Sequence, residues 1–60
     1  MAQQKLILIV DDDFELSDGV KLVLERQGYR VMQARNGQVG KQMIYQNKPD
    51  LVILDMMMPG

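Results

Sequence analysis

Two uninterrupted apolar runs constrain the fold more than any other feature of this sequence. The first, LILIV, stops at three consecutive aspartates at residues 11–13, and the second, LVIL, stops at Asp55. Runs of four or five apolar residues rich in β-branched side chains are typical of strands covered on both faces, as in parallel sheets. The sequence therefore predicts two buried strands that each end on carboxylates.

The residues between these runs predict the remaining elements. Leu16, Val20, Val23 and Leu24 recur at helical spacing, and Gly28 fits the left-handed position that ends a helix. The alternating segment YRVMQA predicts a further strand, and a weaker helical pattern follows it. The expected strands span about residues 5–10, 30–34 and 51–55, and the expected helices about residues 14–27 and 37–47.

The resulting order, β-α-β-α-β, predicts the α/β class. Such alternation implies parallel strands joined by right-handed crossovers. Because doubly wound sheets normally continue beyond a third strand, we expect the 60 residues to be part of a larger domain.

The amino-acid composition excludes several classes of function. The chain has no cysteine and no histidine, which excludes thiol nucleophiles, Ser-His catalysis, and metal sites built from thiolate or imidazole ligands. Any bound metal must then be a hard cation held by oxygen atoms. The net charge of -1 gives no reason to expect nucleic acid or an anionic membrane as a partner, and the N-terminal apolar run is too short for a signal peptide, so we expect a soluble, cytoplasmic protein.

The carboxylates at the strand ends form a candidate site. Ligands of open α/β sheets bind beyond the carboxyl ends of the strands. If the first and last strands are neighbours, Asp11 and Asp12 meet Asp55 at one edge of the sheet. Converging carboxylates repel one another unless a cation lies between them, and Mg²⁺ prefers oxygen ligands. The sequence therefore predicts a magnesium site.

Some of the acidic residues have simpler explanations. Asp12 or Asp13 could cap the first helix, and Asp12 with Glu15 has capping-box spacing. We favour the cap for Asp13. Asp18 and Asp50 are expected to be a solvated helix residue and an ordinary loop residue.

Several motifs together resemble the receiver domain of two-component response regulators. They are LILIVDDD before a helix, GYRV in the second strand, NG opening the next helix, and PDLVILDMMMPG. The resemblance implies that residues 1–60 are the N-terminal half of a receiver, a truncated flavodoxin-like fold. It also implies a parallel three-stranded sheet in the order 2-1-3.

The resemblance also implies roles for individual residues. Asp55 matches the phosphoacceptor, and Asp11 and Asp12 match the acidic pair that holds Mg²⁺ or Mn²⁺, with Asp12 a direct ligand. Met57 matches the position whose backbone carbonyl binds the metal. The implied partner is a sensor histidine kinase, which donates a phosphoryl group to Asp55.

The family pattern is incomplete in these residues. Its hydroxyl residue, lysine and aromatic switch residue would follow Gly60, so we expect poor phosphorylation and no enzyme activity beyond the receiver's own phosphoryl transfer. Gly40 and Lys41 replace the small-then-large apolar pair usual in the second helix, which suggests looser packing there.

Two other hypotheses remain open. A haloacid-dehalogenase-type phosphatase also places an aspartate nucleophile after an apolar strand, but its motif continues with threonine or valine where this chain has Phe14. Separately, an uncovered third strand is a template for pairing with another chain. We therefore expect self-association, most simply a two-fold dimer that buries the region of Val52 and Leu54.

Overall fold

The structure, a computed structural model, describes residues 4–54. Asp55 and Met57 therefore lie outside the described residues. The described part contains three strands and two helices in alternation: β1 (Leu6–Val10), α1 (Phe14–Arg26), β2 (Arg30–Ala34), α2 (Gly37–Asn47) and β3 (Leu51–Leu54).

The three strands form one parallel sheet in the order β2-β1-β3. In the middle strand, Leu8 is paired with Met32 on one side and with Val52 on the other. The central position explains why β1 is an unbroken apolar run, since both of its faces are covered and Leu8 is fully buried. The predicted α/β class, the parallel sheet and the strand order are confirmed.

The two helices lie on opposite faces of the sheet. Val39 and Met43 of α2 pack against a cluster formed by Leu8, Val10 and Ala34. The side chain of Gln33, which alternates with Ala34 along β2, donates instead to α1 on the other face. The connections of β1 and β2 therefore leave on different sides, which creates a crevice at the carboxyl end of β1.

Gly40 allows α2 to approach the sheet closely. The residue is buried, and a Cβ atom placed there would lie 2.9 Å from Cγ2 of Val10. No such contact is tolerated without movement of a buried valine. The expectation of looser packing around this glycine is therefore wrong, because the absent side chain is what lets helix and sheet meet.

The apolar residues of α1 do not all face the sheet. Leu16, Val20 and Val23 are 61%, 38% and 58% exposed, whereas Ser17 is buried. The hydroxyl of Ser17 accepts a hydrogen bond from Gln33 Nε2 at 2.7 Å, so a polar contact joins α1 to β2. Helical spacing predicted the helix correctly, and its apolar residue Leu24 is half-buried in a cavity with Ile7 of β1, but the spacing did not indicate the contact of Ser17 with the sheet.

Candidate functional site

Asp11 begins the loop after β1 and is fixed to the neighbouring strand. Its backbone N–H donates to the carbonyl of Ala34 at 2.9 Å, which ties the ends of β1 and β2 together. The side chain is only 6% exposed. The loop thus starts from a rigid point at the carboxyl edge of the sheet.

The carboxylate of Asp11 also shapes this loop. Its Oδ1 accepts a hydrogen bond of 2.8 Å from the backbone N–H of Asp13, two residues further on. This local turn is typical of aspartate and explains one use of the buried carboxylate. Sequence reasoning missed this role, although the i to i+2 spacing of the two residues could have indicated it.

Asp13 is the N-cap of α1. Its backbone is extended, and its side chain accepts from the N–H of Leu16 at 3.3 Å. The prediction that Asp13 caps this helix is confirmed. Asp12 does not occupy the cap position, and it is exposed in the loop at this edge of the sheet.

A cavity of about 350 Å³ opens beside Asp12. Its other lining residues are Phe14, Arg35 and Asn36. The guanidinium carbon of Arg35 lies 5.5 Å from the centre of the Phe14 ring, which is the range of a cation–π contact. Asn36 caps α2 by accepting from the N–H of Val39 at 2.9 Å.

The third strand, β3, ends level with β1. In the parallel register Val10 is paired with Leu54, so β1 and β3 end at the same edge of the sheet. The next residue after Val10 is Asp11, and the next after Leu54 is Asp55. The predicted roles of Asp55 and Met57 fall outside the described residues and stay predictions.

The loop at this edge carries three carboxylates, of which that of Asp13 is engaged as the cap of α1, so Asp11 and Asp12 remain as candidate metal ligands. Residues 4–54 contain no group of three or more acidic, histidine or cysteine side chains that could hold a metal ion. The donors supplied by Asp11 and Asp12 are nevertheless hard oxygen atoms, which suit Mg²⁺ or Mn²⁺. The chemistry of the donors therefore fits such an ion.

Two acidic residues that seemed ordinary have defined structural partners. Oδ2 of Asp50 accepts from the N–H of Leu6 at 2.7 Å, and the N–H of Asp50 donates to the carbonyl of Leu6 at 2.8 Å. These bonds attach the start of β3 to the start of β1. Asp18 accepts from Gln33 at 2.9 Å. Sequence reasoning missed both contacts, which join distant residues.

A family model for the response regulator receiver domain matches residues 7–60. This chain belongs to the receiver domain family. The match covers most of the chain and both carboxylate-terminated strands, so the resemblance drawn from the motifs is confirmed. Receiver domains are the signalling modules of two-component response regulators.

Curated relatives of this receiver are bacterial response regulators. The DNA-binding dual master transcriptional regulator RpaA of Synechocystis is 49% identical over 53 residues, 88% of this chain and 22% of that protein. The phosphate regulon transcriptional regulatory protein PhoB of Pseudomonas aeruginosa is 43% identical over 56 residues, 93% of this chain and 24% of its own length. The receiver thus spans about a quarter of these relatives.

The remaining comparisons add two facts. No solved structure matches the chain significantly. Neither helix within residues 4–54 has the length and apolar character needed to cross a bilayer.

Proposed function

We propose that this receiver accepts a phosphoryl group on Asp55 from the phosphohistidine of a sensor histidine kinase. The observation that supports this best is the register of Val10 with Leu54, because Asp11 and Asp55 each follow directly from one of these paired residues. The proposed metal ligands are Asp11, Asp12, Asp55 and the backbone carbonyl of Met57, and the ion is Mg²⁺ or Mn²⁺.

Asp11 and Asp12 would serve the site differently. Asp11 is buried and held by backbone contacts, so it gives the site a fixed position. Asp12 is exposed at the mouth of the cavity and suits a direct ligand that meets an incoming ion. A divalent ion bound here would offset the negative charge shared by the carboxylates and the phosphoryl oxygens.

Asp55 would act as the nucleophile. One of its carboxylate oxygens attacks phosphorus in line with the bond from phosphorus to the histidine nitrogen. That bond breaks, and the nitrogen leaves with the electron pair and takes up a proton. Because this chain has no histidine, the donor histidine belongs to the partner. The reaction modifies the receiver itself and passes a signal, so we propose no other substrate.

Magnesium binding tests the role of Asp12. We expect Asp12→Asn to weaken Mg²⁺ binding by about tenfold or more, which corresponds to about 1.4 kcal/mol, because a direct carboxylate ligand is lost. Mg²⁺ binding is measured by isothermal titration calorimetry, and Mn²⁺ binding is measured by electron paramagnetic resonance. Circular dichroism of each variant establishes that it is folded.

Asp13→Asn is a matched control for this titration. It removes the same charge from the adjacent residue, while asparagine still caps a helix well. We expect it to change the affinity by less than about threefold, which is about 0.7 kcal/mol. Equal weakening in the two variants would mean that only general charge matters, and a wild-type chain that binds neither ion would refute the proposed metal site.

We also propose that the chain pairs with a second copy along β3. This strand is at the edge of the described sheet, and Leu54 is 62% exposed. Val52, which is half-buried, packs against the core beside it. An edge strand with exposed apolar side chains readily adds another strand, and a two-fold axis through β3 would join two copies into one sheet.

Light scattering at high micromolar concentration tests this pairing. We expect the wild-type chain to have the mass of a dimer and Leu54→Lys to be monomeric, because a lysine on an edge strand opposes pairing. Leu22→Lys, at a residue of α1 that is 54% exposed, is the control and should remain a dimer. A folded wild-type monomer would contradict the proposal.

A further inference from the structure

The acidic edge of the sheet carries one fixed cation. The loops that follow β1 and β2 within the described chain, residues 11–13 and 35–36, contain three aspartates and a single basic residue, Arg35. Arg35 and Asp12 line the same cavity of about 350 Å³. A positively charged side chain therefore lines the same cavity as the carboxylate that we propose as a direct metal ligand.

The backbone of Arg35 is held on both sides. The preceding residue, Ala34, is buried, and its carbonyl accepts the hydrogen bond from Asp11. The following residue, Asn36, caps α2 through Val39. Because both neighbours are anchored, the start of the Arg35 side chain has a fixed position relative to the acidic loop.

The side chain of Arg35 is also directed. Its guanidinium lies over the ring of Phe14, the first residue of α1, at 5.5 Å from the ring centre. Phe14 belongs to the loop and helix that carry Asp12, so this contact joins the two walls of the cavity. A guanidinium that lies over an aromatic face still directs its N–H groups outward, in the plane of the guanidinium group.

We infer that Arg35 binds the anionic phosphoryl group of the donor beside Asp12. The inference rests on the proposed function and assigns to that site a binding residue for its substrate. The planar guanidinium presents parallel N–H donors that match two phosphoryl oxygens. It also lowers the repulsion that an anionic donor meets at a cluster of aspartates.

The same charge has an opposite effect on the metal. A cation beside Asp12 repels Mg²⁺ while it attracts the phosphoryl group. Removal of the charge should therefore strengthen metal binding and weaken donor binding. A residue that only supported the fold would weaken both, so the two signs distinguish binding from structural support.

Arg35→Gln tests this in the whole chain, with Mg²⁺ titration and with acetyl phosphate as the phosphodonor. We expect Mg²⁺ to bind about twofold to threefold more tightly and the aspartyl phosphate to form about fivefold more slowly at saturating Mg²⁺. Both differences should shrink at 1 M salt, where charges on the surface are screened. Adduct is measured by intact mass spectrometry.

Three variants complete the experiment. Arg30→Gln makes the same change at the opposite end of β2 and should leave both quantities unchanged. Arg35→Lys keeps the charge and should keep the wild-type Mg²⁺ affinity, but recover the phosphorylation rate only in part. Phe14→Leu keeps the charge and releases the guanidinium, and should slow phosphorylation less than Arg35→Gln does.

The outcomes separate this inference from the proposed function. If the wild-type chain binds Mg²⁺ and is phosphorylated, but Arg35→Gln behaves as Arg30→Gln does, the role of Arg35 is refuted and the proposed function stands. If Arg35→Gln weakens both metal binding and phosphorylation, Arg35 has a structural role instead. If the wild-type chain neither binds Mg²⁺ nor is phosphorylated, both proposals are refuted.

Discussion

Replacement of Leu8 by alanine is expected to remove a large part of the folding stability of this chain. Leu8 is fully buried in the central strand and belongs to the core cluster with Val10 and Ala34. Truncation of a buried leucine costs about 2–5 kcal/mol, because it loses apolar burial and leaves a cavity. At about 0.05–0.15 kcal/mol per residue, a chain of 60 residues has only about 3–9 kcal/mol to lose.

Urea denaturation followed by circular dichroism measures this effect. The matched control is Leu22→Ala, since Leu22 is 54% exposed on α1 and alanine is a strong helix former. We expect the control to change the free energy of unfolding by less than about 0.5 kcal/mol. A loss below about 1 kcal/mol in Leu8→Ala would contradict the placement of this residue at the centre of the core.

Replacement of Asp55 by asparagine is expected to abolish the covalent phosphoryl adduct. The amide is uncharged and far less nucleophilic than the carboxylate, so no acyl phosphate can form at this position. The wild-type chain should show a small population with the added mass of one phosphoryl group after incubation with acetyl phosphate and Mg²⁺. The Asp55→Asn chain should show none in the same intact mass measurement.

Two further variants give this experiment its controls. Asp13→Asn removes a carboxylate from the same edge while the helix cap is kept, and should still form the adduct. Asp11→Asn identifies the competing chemistry, since a phosphatase of the haloacid-dehalogenase type would use the first aspartate as nucleophile. An adduct that persists in Asp55→Asn and disappears only in Asp11→Asn would refute the proposed phosphoacceptor.

The candidate site could be predicted from the sequence only in part. The aspartates after β1 were found because carboxylates at the end of an apolar run are a local pattern, and the cap at Asp13 is local as well. The turn in which Asp11 accepts from Asp13 was missed, although its spacing is visible in the sequence. Arg35 carried no local signal, because its partner Phe14 is on another element.

The sequence by itself determined which segments form strands and helices. The unbroken run of β1 requires a strand covered on both faces, and Asp13 and Asn36 mark the starts of the two helices through their side-chain caps. These features depend on residues that are close together in the sequence, so a short stretch of sequence is enough to predict them. The family motifs added the order of the strands, which the structure confirms.

Only the tertiary structure decided how these segments meet. In the structure Ser17 is buried, whereas Leu16 is exposed. Gly40 packs closely against Val10, and the carboxylate of Asp50 accepts a hydrogen bond from the N–H of Leu6. Each of these contacts joins residues from different elements, and each depends on strand register and on the face that a helix covers. Local propensity does not contain that information, since the same helix has equal propensity whichever of its sides is buried.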